Sequence, residues 1–288
     1  MVWIPGGCFL MGSDRHYPEE APQRAATVDG FWIDRDSVSN RAFAAFVAAT
    51  GHVTLAERAP APEAFPDAPP AMLQAGSAVF RTPPAGTRLT DPFAWWAFVP
   101  GADWRHPRGP ESSLAGLEDH PVVHVAFGDA QAYARWAGKA LPREAEWERA
   151  ARGGLEDADF AWGGEFTPGG RHMANTWQGD FPHHNACEDG HAWTSPAGAF
   201  PANGYGLHDM AGNVWQWTDD DYSEGRTGGC CGSRMEEAVP RKVIKGGSFL
   251  CAPNYCRRYR PAARLPQPVD SPTCHLGFRC VLRPERQA

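Results

Sequence analysis

Glycine and proline interrupt this chain so often that long regular elements have little room to form. The 288 residues include 31 glycines and 27 prolines, and both residue types disfavour the interior of a helix or strand. The chain also carries 12 tryptophans, which we expect to be buried or to line a groove, because exposed tryptophan at that density promotes aggregation. The composition therefore predicts an ordered fold that is rich in loops and turns.

Helical periodicity is confined to the first half of the chain. Ser39 is the predicted N-cap of a helix that runs through Ala49, with Phe43 and Phe46 three residues apart on one face. Two further helices are predicted at 128–136 and 143–152, the first starting at residue 128 or 129. Short strands are predicted at 1–13, 26–34, 120–124, 214–218, 243–247 and 277–282. Helices followed by irregular strands indicate an α+β fold.

Residues 58–92 form a long stretch without periodicity, rich in proline, alanine and glycine. We predict an ordered loop or insertion that wraps the domain. A linker between two domains is the competing interpretation. Because the sequence blocks described below continue on both sides of this stretch, we predict one domain over residues 1–288.

Charge and hydropathy exclude several classes of protein. The net charge of −7 argues against general nucleic-acid binding, and no apolar run approaches the roughly 18 residues of a membrane helix. The N-terminus has no basic segment before an apolar one, so it does not look like a signal peptide. We therefore expect a monomeric cytoplasmic protein of bacterial type, whose eight cysteines are thiols or metal ligands rather than disulfides.

The region between residues 241 and 264 concentrates the candidate chemistry. Cys251 and Cys256 lie five positions apart, among seven basic residues and no acidic ones. A positive field lowers the pKa of a thiol and favours the thiolate, which is both a nucleophile and a metal ligand. The spacing fits no zinc template, and two thiolates without histidine suit a soft ion such as Cu(I). On spacing alone, a structural pair or a disulfide is an equally good interpretation.

Several sequence blocks resemble a known family. Residues 245–260 (KGGSFLCAPNYCRRYR) and 276–280 (LGFRC) resemble the C-terminal signature of formylglycine-generating enzymes, the sulfatase-modifying factors. Residues 104–110 (WRHPRGP), 141–148 (LPREAEWE) and 204–217 (GYGLHDMAGNVWQW) resemble family blocks and occur in the family's order. The resemblance implies the family's α+β fold, which is related to C-type lectins and has little regular secondary structure. The GNVW block alone marks the wider superfamily, whereas the Cys-x4-Cys pair points to the catalytic branch.

The resemblance implies an activity and a cofactor. The family oxidises one cysteine of a sulfatase polypeptide, within a Cys-x-Pro-x-Arg motif, to Cα-formylglycine, and molecular oxygen is the oxidant. It implies Cu(I) held by Cys251 and Cys256, and an unfolded or nascent sulfatase chain as the partner. Three further residues match active-site positions by motif: Ser248, Trp215 and Tyr255.

Four residues are candidates for binding the substrate peptide. Arg260 matches a groove position, and His275 replaces an asparagine found in some relatives, so it is the weaker candidate of the two. The substrate arginine should meet an acid, because the catalytic stretch is basic and would repel it. Glu57 and Glu111, in blocks that resemble the family, are the candidates for that contact.

The resemblance also implies two structural calcium sites, with main-chain and side-chain oxygens as ligands. The first falls on Asn175, Thr176, Asp189 and His191. The second falls on Asp209, Gly212, Val214 and Gln216. The family usually has glutamate where Gln216 stands, so one negative charge is lost from the second site. Asx-turns and buried hydrogen bonds without metal are the alternative for both loops.

One departure from the family, one further pair of cysteines and two competing functions remain. Secreted relatives use a disulfide to the position of Cys280, but its expected partner position here is Ala151. The adjacent Cys230 and Cys231 are predicted to be loop structure. A lectin-like binding module of the same fold is the main alternative function. An iron sulfoxide synthase of this fold would need a three-histidine site and an additional helical domain, which this chain lacks.

Overall fold

The structure is a computed structural model that describes residues 1–64, 66–67, 69–87, 90–223 and 239–284. The helices are α1 (Asn40–Thr50), α2 (Phe127–Trp136) and α3 (Glu144–Arg152). The strands are β1 (Val2–Ile4), β2 (Gly7–Met11), β3 (Arg24–Val28), β4 (Phe31–Ile33), β5 (Gly76–Phe80), β6 (Trp96–Pro100), β7 (Trp215–Asp221), β8 (Arg241–Lys245), β9 (Arg264–Pro268), β10 (Leu276–Gly277) and β11 (Val281–Leu282). Short strands and three short helices confirm the predicted α+β fold with little regular structure.

The helices begin and end where the sequence predicts. The Ser39 hydroxyl accepts the N–H of Ala42 at 3.2 Å at the start of α1, and Gly51 ends this helix in the left-handed conformation, with φ of 68°. Gly153 ends α3 in the same way, with φ of 61°. Local signals therefore set these helix ends. A hydroxyl caps the start of α1, and glycine, which has no Cβ atom to clash in the left-handed conformation, ends both α1 and α3.

The strands form small sheets rather than one large one. The three-stranded sheet has the order β1-β4-β11, the four-stranded sheet has the order β10-β7-β8-β9, and β2-β3 and β5-β6 are separate antiparallel pairs. In the larger sheet β10 runs parallel to β7, and the other neighbours are antiparallel. Strands β8 and β9, which lie side by side, carry the two ends of the cysteine-containing segment.

The predicted strand at 120–124 is wrong. Residues 120–124 contribute only an isolated bridge, between Ser39 and Pro121. His124 has φ of 58°, which is a left-handed conformation that no regular strand contains. Its buried ring bonds the Ser77 hydroxyl at 2.8 Å and the Pro107 carbonyl at 2.9 Å, so tertiary contacts override the local strand pattern.

A buried ion pair joins helix α3 to the larger sheet. The Glu148 side chain of α3 is 1% exposed, accepts the Nζ of Lys245 on β8 at 3.0 Å, and also accepts Arg152 at 2.7 Å. Lys245 itself is fully buried. A buried charge is tolerated only when it is paired, so this cluster fixes the end of β8 at the point where the cysteine segment begins.

Buried apolar side chains of the described residues group into three clusters. The largest contains both Cys251 and Cys256, together with Trp215 and Tyr259. A second cluster lies beside the cysteine segment and includes Phe181. In the described part of the chain, no helix is long and apolar enough to span a membrane.

Candidate active site

Residues 246–263 connect β8 to β9 and carry both cysteines of the predicted copper site. The two strands pair in register, with Lys245 opposite Arg264, so the ends of this catalytic loop lie side by side. Gly247 has φ of 73°, and a Cβ atom there would lie 2.9 Å from the carbonyl oxygen of Arg258. Glycine is therefore required at this position for the loop to fold back on itself.

Two tight turns bring the thiols together. The N–H of Cys251 donates to the carbonyl of Ser248 at 2.9 Å, and the N–H of Cys256 donates to the carbonyl of Ala252 at 3.0 Å. The two Sγ atoms lie 3.1 Å apart, well beyond the roughly 2.05 Å of a disulfide bond, and both cysteines are free. Cys251 is 2% exposed and Cys256 is 8% exposed. The pair is thus a buried dithiol that approaches the surface at Cys256.

The two thiols differ in acidity. The hydrogen bond from the Cys251 thiol and the nearby Arg258 cation together lower the pKa of Cys256 to about 7, against the opposing effect of burial. Burial raises the pKa of Cys251 well above its usual range. Cys256 is consequently the sulfur that ionises first, and Cys251 is the donor that stabilises it.

Arg258 is held beside Cys256 by residues from the N-terminus. Its Nε and Nη2 atoms donate to Glu19 Oε1 at 2.9 and 2.5 Å, and its guanidinium carbon lies 3.8 Å from the ring centroid of Tyr17. The Tyr17 hydroxyl accepts the N–H of Arg257 at 3.0 Å. The N-terminal turn Pro18–Glu20 therefore orients the cation of the catalytic loop, across more than 200 positions of sequence.

The other residues predicted at the active site surround the thiols. The N–H of Ser248 donates to the Cys251 sulfur at 3.4 Å, and Trp215 packs in the same buried cluster as both cysteines. The ring of Tyr255 stacks on Phe181, with a centroid distance of 4.7 Å and an interplanar angle of 10°. Burial raises the pKa of Tyr255 to about 12. Ser248 thus orients a sulfur, Trp215 belongs to the apolar cluster that contains the pair, and Tyr255 forms an aromatic wall.

Two of the side chains predicted to contact the substrate already form ion pairs within the protein. Arg260 is 1% exposed, and both of its terminal nitrogens donate to the buried carboxylate of Glu20. Glu57 pairs with Arg105 and accepts the N–H and hydroxyl of Thr54 at 2.9 and 2.8 Å. Their positions argue against a direct contact of either side chain with a peptide, because each would first have to leave an intramolecular ion pair.

His275 and Glu111 remain candidates with different surroundings. The Nδ1 atom of His275 lies 2.6 Å from the Thr273 hydroxyl, and its ring contacts Trp96 edge-on at 4.8 Å. Burial lowers the pKa of His275 to about 3, so the ring is neutral near pH 7. Its carbonyl accepts the N–H of Trp215 at 2.8 Å, which links it to the active-site cluster. Glu111 lies exposed on the surface.

The residues of the first predicted calcium site fit a hard cation. Asn175 is fully buried, and its Oδ1 atom has no hydrogen-bond partner. The Asp189 carboxylate accepts the N–H groups of Thr176 at 3.0 Å and His191 at 2.9 Å, and the Gln178 amide at 2.7 Å. Buried oxygens without a partner are rare. An unpartnered amide oxygen, a carboxylate and two main-chain carbonyls, the members of the predicted set, are the types of donor that calcium uses.

The residues of the second predicted calcium site fit a cation less well than those of the first, although the buried Oδ1 atom of Asp209 also has no hydrogen-bond partner. Gln216 Oε1 accepts Trp147 Nε1 at 2.8 Å and Arg279 Nε at 2.7 Å, while its Nε2 donates to the main-chain oxygen of Asp209 at 2.8 Å. The Gln216 side-chain oxygen, which the sequence predicts to bind the metal, therefore already accepts two hydrogen bonds. The Gln216 NH2 group is directed at the main chain of Asp209, another residue of the predicted site. The remaining members of this set are Gly212 and buried Val214.

The Arg279 side chain donates hydrogen bonds to carbonyl oxygens around that second site. A guanidinium has five N–H donors, and each donor of Arg279 has an oxygen partner: Gln216 Oε1 and the carbonyls of Asp34, Arg35, His208 and Asp209. With the amide of Gln216, this buried guanidinium satisfies oxygens that a cation would otherwise attract.

The sequence-based predictions also concern Cys280 and the Cys230-Cys231 pair. Cys280 is a free, fully buried thiol, and Ala151 is buried as well, in agreement with the expected loss of that bridge. Cys230 and Cys231 lie outside the described residues. Within the described ranges, no group of three histidine, cysteine or acidic side chains is placed to hold a metal. The donor set of Cys251 and Cys256 thus fits a soft ion bound by two thiolates and lacks the ligands of a zinc site.

Sequence reasoning missed the contributions of Tyr17, Glu19 and Glu20. Arg258 was visible as one of several nearby cations, but its partners were not, because they lie in a different part of the chain. The adjacent glutamates do stand out as an acidic pair opposite a basic loop. That charge complementarity is the only signal the sequence offers for this contact.

Comparison with known proteins identifies the family of this chain. The family description "Sulfatase-modifying factor enzyme 1-like domain" matches residues 1–284. The formylglycine-generating enzyme of Mycobacterium tuberculosis is 50% identical, over 99% of this chain and 98% of the relative. That of Thermomonospora curvata is 48% identical, over 99% and 93%. A mouse relative named inactive Cα-formylglycine-generating enzyme 2 is 38% identical, over 98% and 85%.

Solved structures agree on the fold. PvdO from Pseudomonas aeruginosa superposes with a TM-score of 0.63 at 24% identity, covering 97% of this chain and 92% of that one. CarF superposes with a TM-score of 0.56 at 18% identity, covering 99% and 98%. At these identities the likeness concerns the fold alone. The match over residues 1–284 and the identity to the bacterial relatives establish that this chain belongs to the sulfatase-modifying factor family.

Proposed function

We propose that this protein converts the cysteine of a Cys-x-Pro-x-Arg motif in a sulfatase polypeptide to Cα-formylglycine, as a copper-dependent oxidase that uses molecular oxygen. The observation that carries the proposal is the free, buried Cys251–Cys256 pair with its sulfurs 3.1 Å apart. Relatives at 48–50% identity are named formylglycine-generating enzymes. One at 38% is named inactive, so family membership alone does not establish activity.

The chain's own residues prepare the sulfurs for a soft metal. The Cys251 thiol and the Arg258 cation favour the Cys256 thiolate, and thiolates are the form that binds metal. Cys251 and Cys256 would hold Cu(I), which would supply one-electron chemistry with oxygen. Burial keeps bulk water from the pair and raises the pKa of Cys251, so the second deprotonation is coupled to binding of the ion.

The surroundings suit an extended peptide. Cys256 reaches the surface with 8% exposure, next to the stacked rings of Tyr255 and Phe181. These side chains position a substrate beside the thiols and exclude water from the reacting atoms. The substrate would be an unfolded or nascent sulfatase chain, because a folded one cannot present an internal cysteine to a buried pair. We propose one domain that acts as a monomer in the cytoplasm.

Calcium has a structural role in this proposal. Asn175 and Asp189 supply oxygens at the first site, in a loop whose Trp177 N–H donates to the Cys251 carbonyl at 3.0 Å. The ion would thereby stabilise the segment that supports the catalytic loop, and no chemical step needs it. We propose occupancy of this site and not of the second.

The test is an anaerobic Cu(I) titration of reduced protein, with conversion of a Cys-x-Pro-x-Arg peptide followed by mass spectrometry. We expect one-to-one binding in the parent protein, and weakened binding with turnover near zero in Cys251→Ser and Cys256→Ser. Cys8→Ser, which removes an exposed thiol, is the matched control and should behave as the parent does. Copper-dependent turnover in either folded active-site variant would overturn the proposal.

The same assay distinguishes the proposed enzyme from the lectin-like alternative. A binding module of this fold would bind ligand without any change in peptide mass, and it would have no use for a dithiol with one acidified member. Peptide binding without conversion, in protein loaded with copper and supplied with oxygen and a thiol reductant, would favour that alternative.

A further inference from the structure

Three acids that contact the catalytic loop or are predicted to contact the substrate are already paired with arginines. Glu19 pairs with Arg258, and Glu20 pairs with Arg260. Glu57 is bound to Arg105. A substrate arginine that arrives at this basic loop needs a carboxylate whose charge is not already compensated, and these three do not offer one.

Asp180 is an acid of the required kind. It is exposed, and its carboxylate accepts the side-chain amide of Asn254 at 3.2 Å. Asn254 is neutral, and none of the described lysine, arginine or histidine side chains forms an ion pair with Asp180. Its charge therefore remains available to an incoming cation.

The position of Asp180 is fixed by its neighbours on both sides. Its main-chain oxygen accepts the N–H groups of His183 and His184, both at 2.8 Å, so the chain turns sharply at this residue. The next residue, Phe181, is 1% exposed and stacks on Tyr255. The carboxylate is thus attached to the aromatic wall beside Cys256 and not to an independent surface loop.

The distances suit the sequence of the substrate motif. Asn254 lies between the two cysteines, two residues before Cys256, and two residues span at most about 7 Å. In an extended Cys-x-Pro-x-Arg peptide the arginine lies four residues after the cysteine, about 13 Å away. The Asn254 side chain and its 3.2 Å hydrogen bond to Asp180 add to the first span, and the side chain of the substrate arginine adds to the second, so the two spans are compatible.

The side chains of Asp180 and Asn254 also suit the chemistry of an arginine guanidinium. An arginine guanidinium presents a planar fork of N–H donors to a carboxylate. The amide of Asn254 orients the Asp180 carboxylate through one oxygen and leaves its other oxygen to accept. We propose that Asp180 is the residue that recognises the arginine of the substrate motif; this inference rests on the function proposed above.

The test is a double-mutant cycle between Asp180→Asn and the substrate arginine, with peptides that differ only in arginine or alanine at that position. An ion pair at a partly exposed site contributes up to about 1 kcal/mol, or roughly fivefold in affinity. We expect Asp180→Asn to lower kcat/KM about fivefold for the arginine peptide, mainly through KM, and to leave the alanine peptide unchanged.

A charge reversal provides the second arm. Asp180→Lys should disfavour the arginine peptide further and should favour a peptide with glutamate at that position. Asp270→Asn, which makes the same change at another exposed acid, is the matched control and should not distinguish the peptides. Equal losses for both peptides in Asp180→Asn, or an arginine-specific loss in Asp270→Asn instead, would overturn the assignment. Failure of the parent enzyme to convert either peptide would count against the proposed function and not against this contact.

Discussion

The Nη1 atom of Arg258 lies 4.0 Å from the Sγ atom of Cys256. The same guanidinium is bound to Glu19 on its other edge, so its charge is oriented and not free to swing toward solvent. A cation held at this position stabilises the Cys256 thiolate over the thiol. The acidity of one member of the dithiol therefore depends on a residue from the N-terminal turn.

Replacing Arg258 by methionine should make Cys256 less acidic. The pKa of Cys256 is lowered to about 7 by the Cys251 hydrogen bond and then by Arg258, and the variant loses only the second contribution. We expect the pH midpoint of Cys256 alkylation in metal-free protein to rise toward the ordinary thiol value. The measurement is the iodoacetamide reaction rate against pH, with the modified cysteine identified by peptide mass. Arg257→Met, at the exposed neighbouring position, serves as the control, and an equal shift in both variants would contradict the specific role of Arg258.

Removing calcium should destabilise the protein without altering its chemistry at saturating substrate. A ligand that binds only the native state stabilises it by about 2.7 kcal/mol at a hundredfold excess over Kd. Chelation should therefore lower the melting temperature, and Asp189→Ala should lower it without chelator and abolish any further effect. Differential scanning calorimetry with elemental analysis provides the check. An unchanged melting curve with chelator, in protein that contains no calcium, would refute the first site.

Replacing Gln216 by glutamate should create a second calcium site. Glutamate would exchange the Nε2 donor, now directed at the Asp209 carbonyl, for an acceptor, and it would add a negative charge. The other oxygen would still accept Trp147 and Arg279. We expect calcium content, measured by elemental analysis after dialysis, to rise from one to two ions per chain. Two ions already present in the parent protein would show that Gln216 does not close the site.

Acid should destabilise the fold partly through His124. Burial lowers the pKa of His124 to about 4, whereas the unfolded residue titrates near its usual value of about 6.5. Between these values the unfolded chain binds more protons than the folded one, so stability is present above pH 6.5 and falls as the pH decreases. One such group contributes a slope of up to about 1.4 kcal/mol per pH unit.

The check for His124 is urea unfolding between pH 7 and pH 4.5 in the parent protein and in His124→Asn. Asparagine tolerates the left-handed backbone at this position, so the comparison does not rest on an added strain. The variant should show a shallower dependence on pH, whatever its stability at pH 7. Identical slopes would mean that other groups carry the acid sensitivity.

Much of the site followed from sequence because it lies within one short segment. Cys251, Cys256, Ser248 and Tyr255 are close in sequence, and glycines permit the loop to fold back at its start. Local signals also placed the N-cap of α1 at Ser39 and the end of α3 at residue 152. By contrast, Arg260 resembled a groove residue by motif, and only its buried pairing with Glu20 shows that its charge is already used.

The sequence by itself determined the family, the α+β class, the three helices and the pair of thiols, because these depend on composition, periodicity and short-range motifs. The tertiary structure decided which arginine faces Cys256, that Gln216 is satisfied by Trp147 and Arg279, and which acid remains available near the loop. The physical reason is that ion pairs and buried hydrogen bonds join residues distant in sequence. Whether a charge is compensated depends on partners that no local pattern specifies.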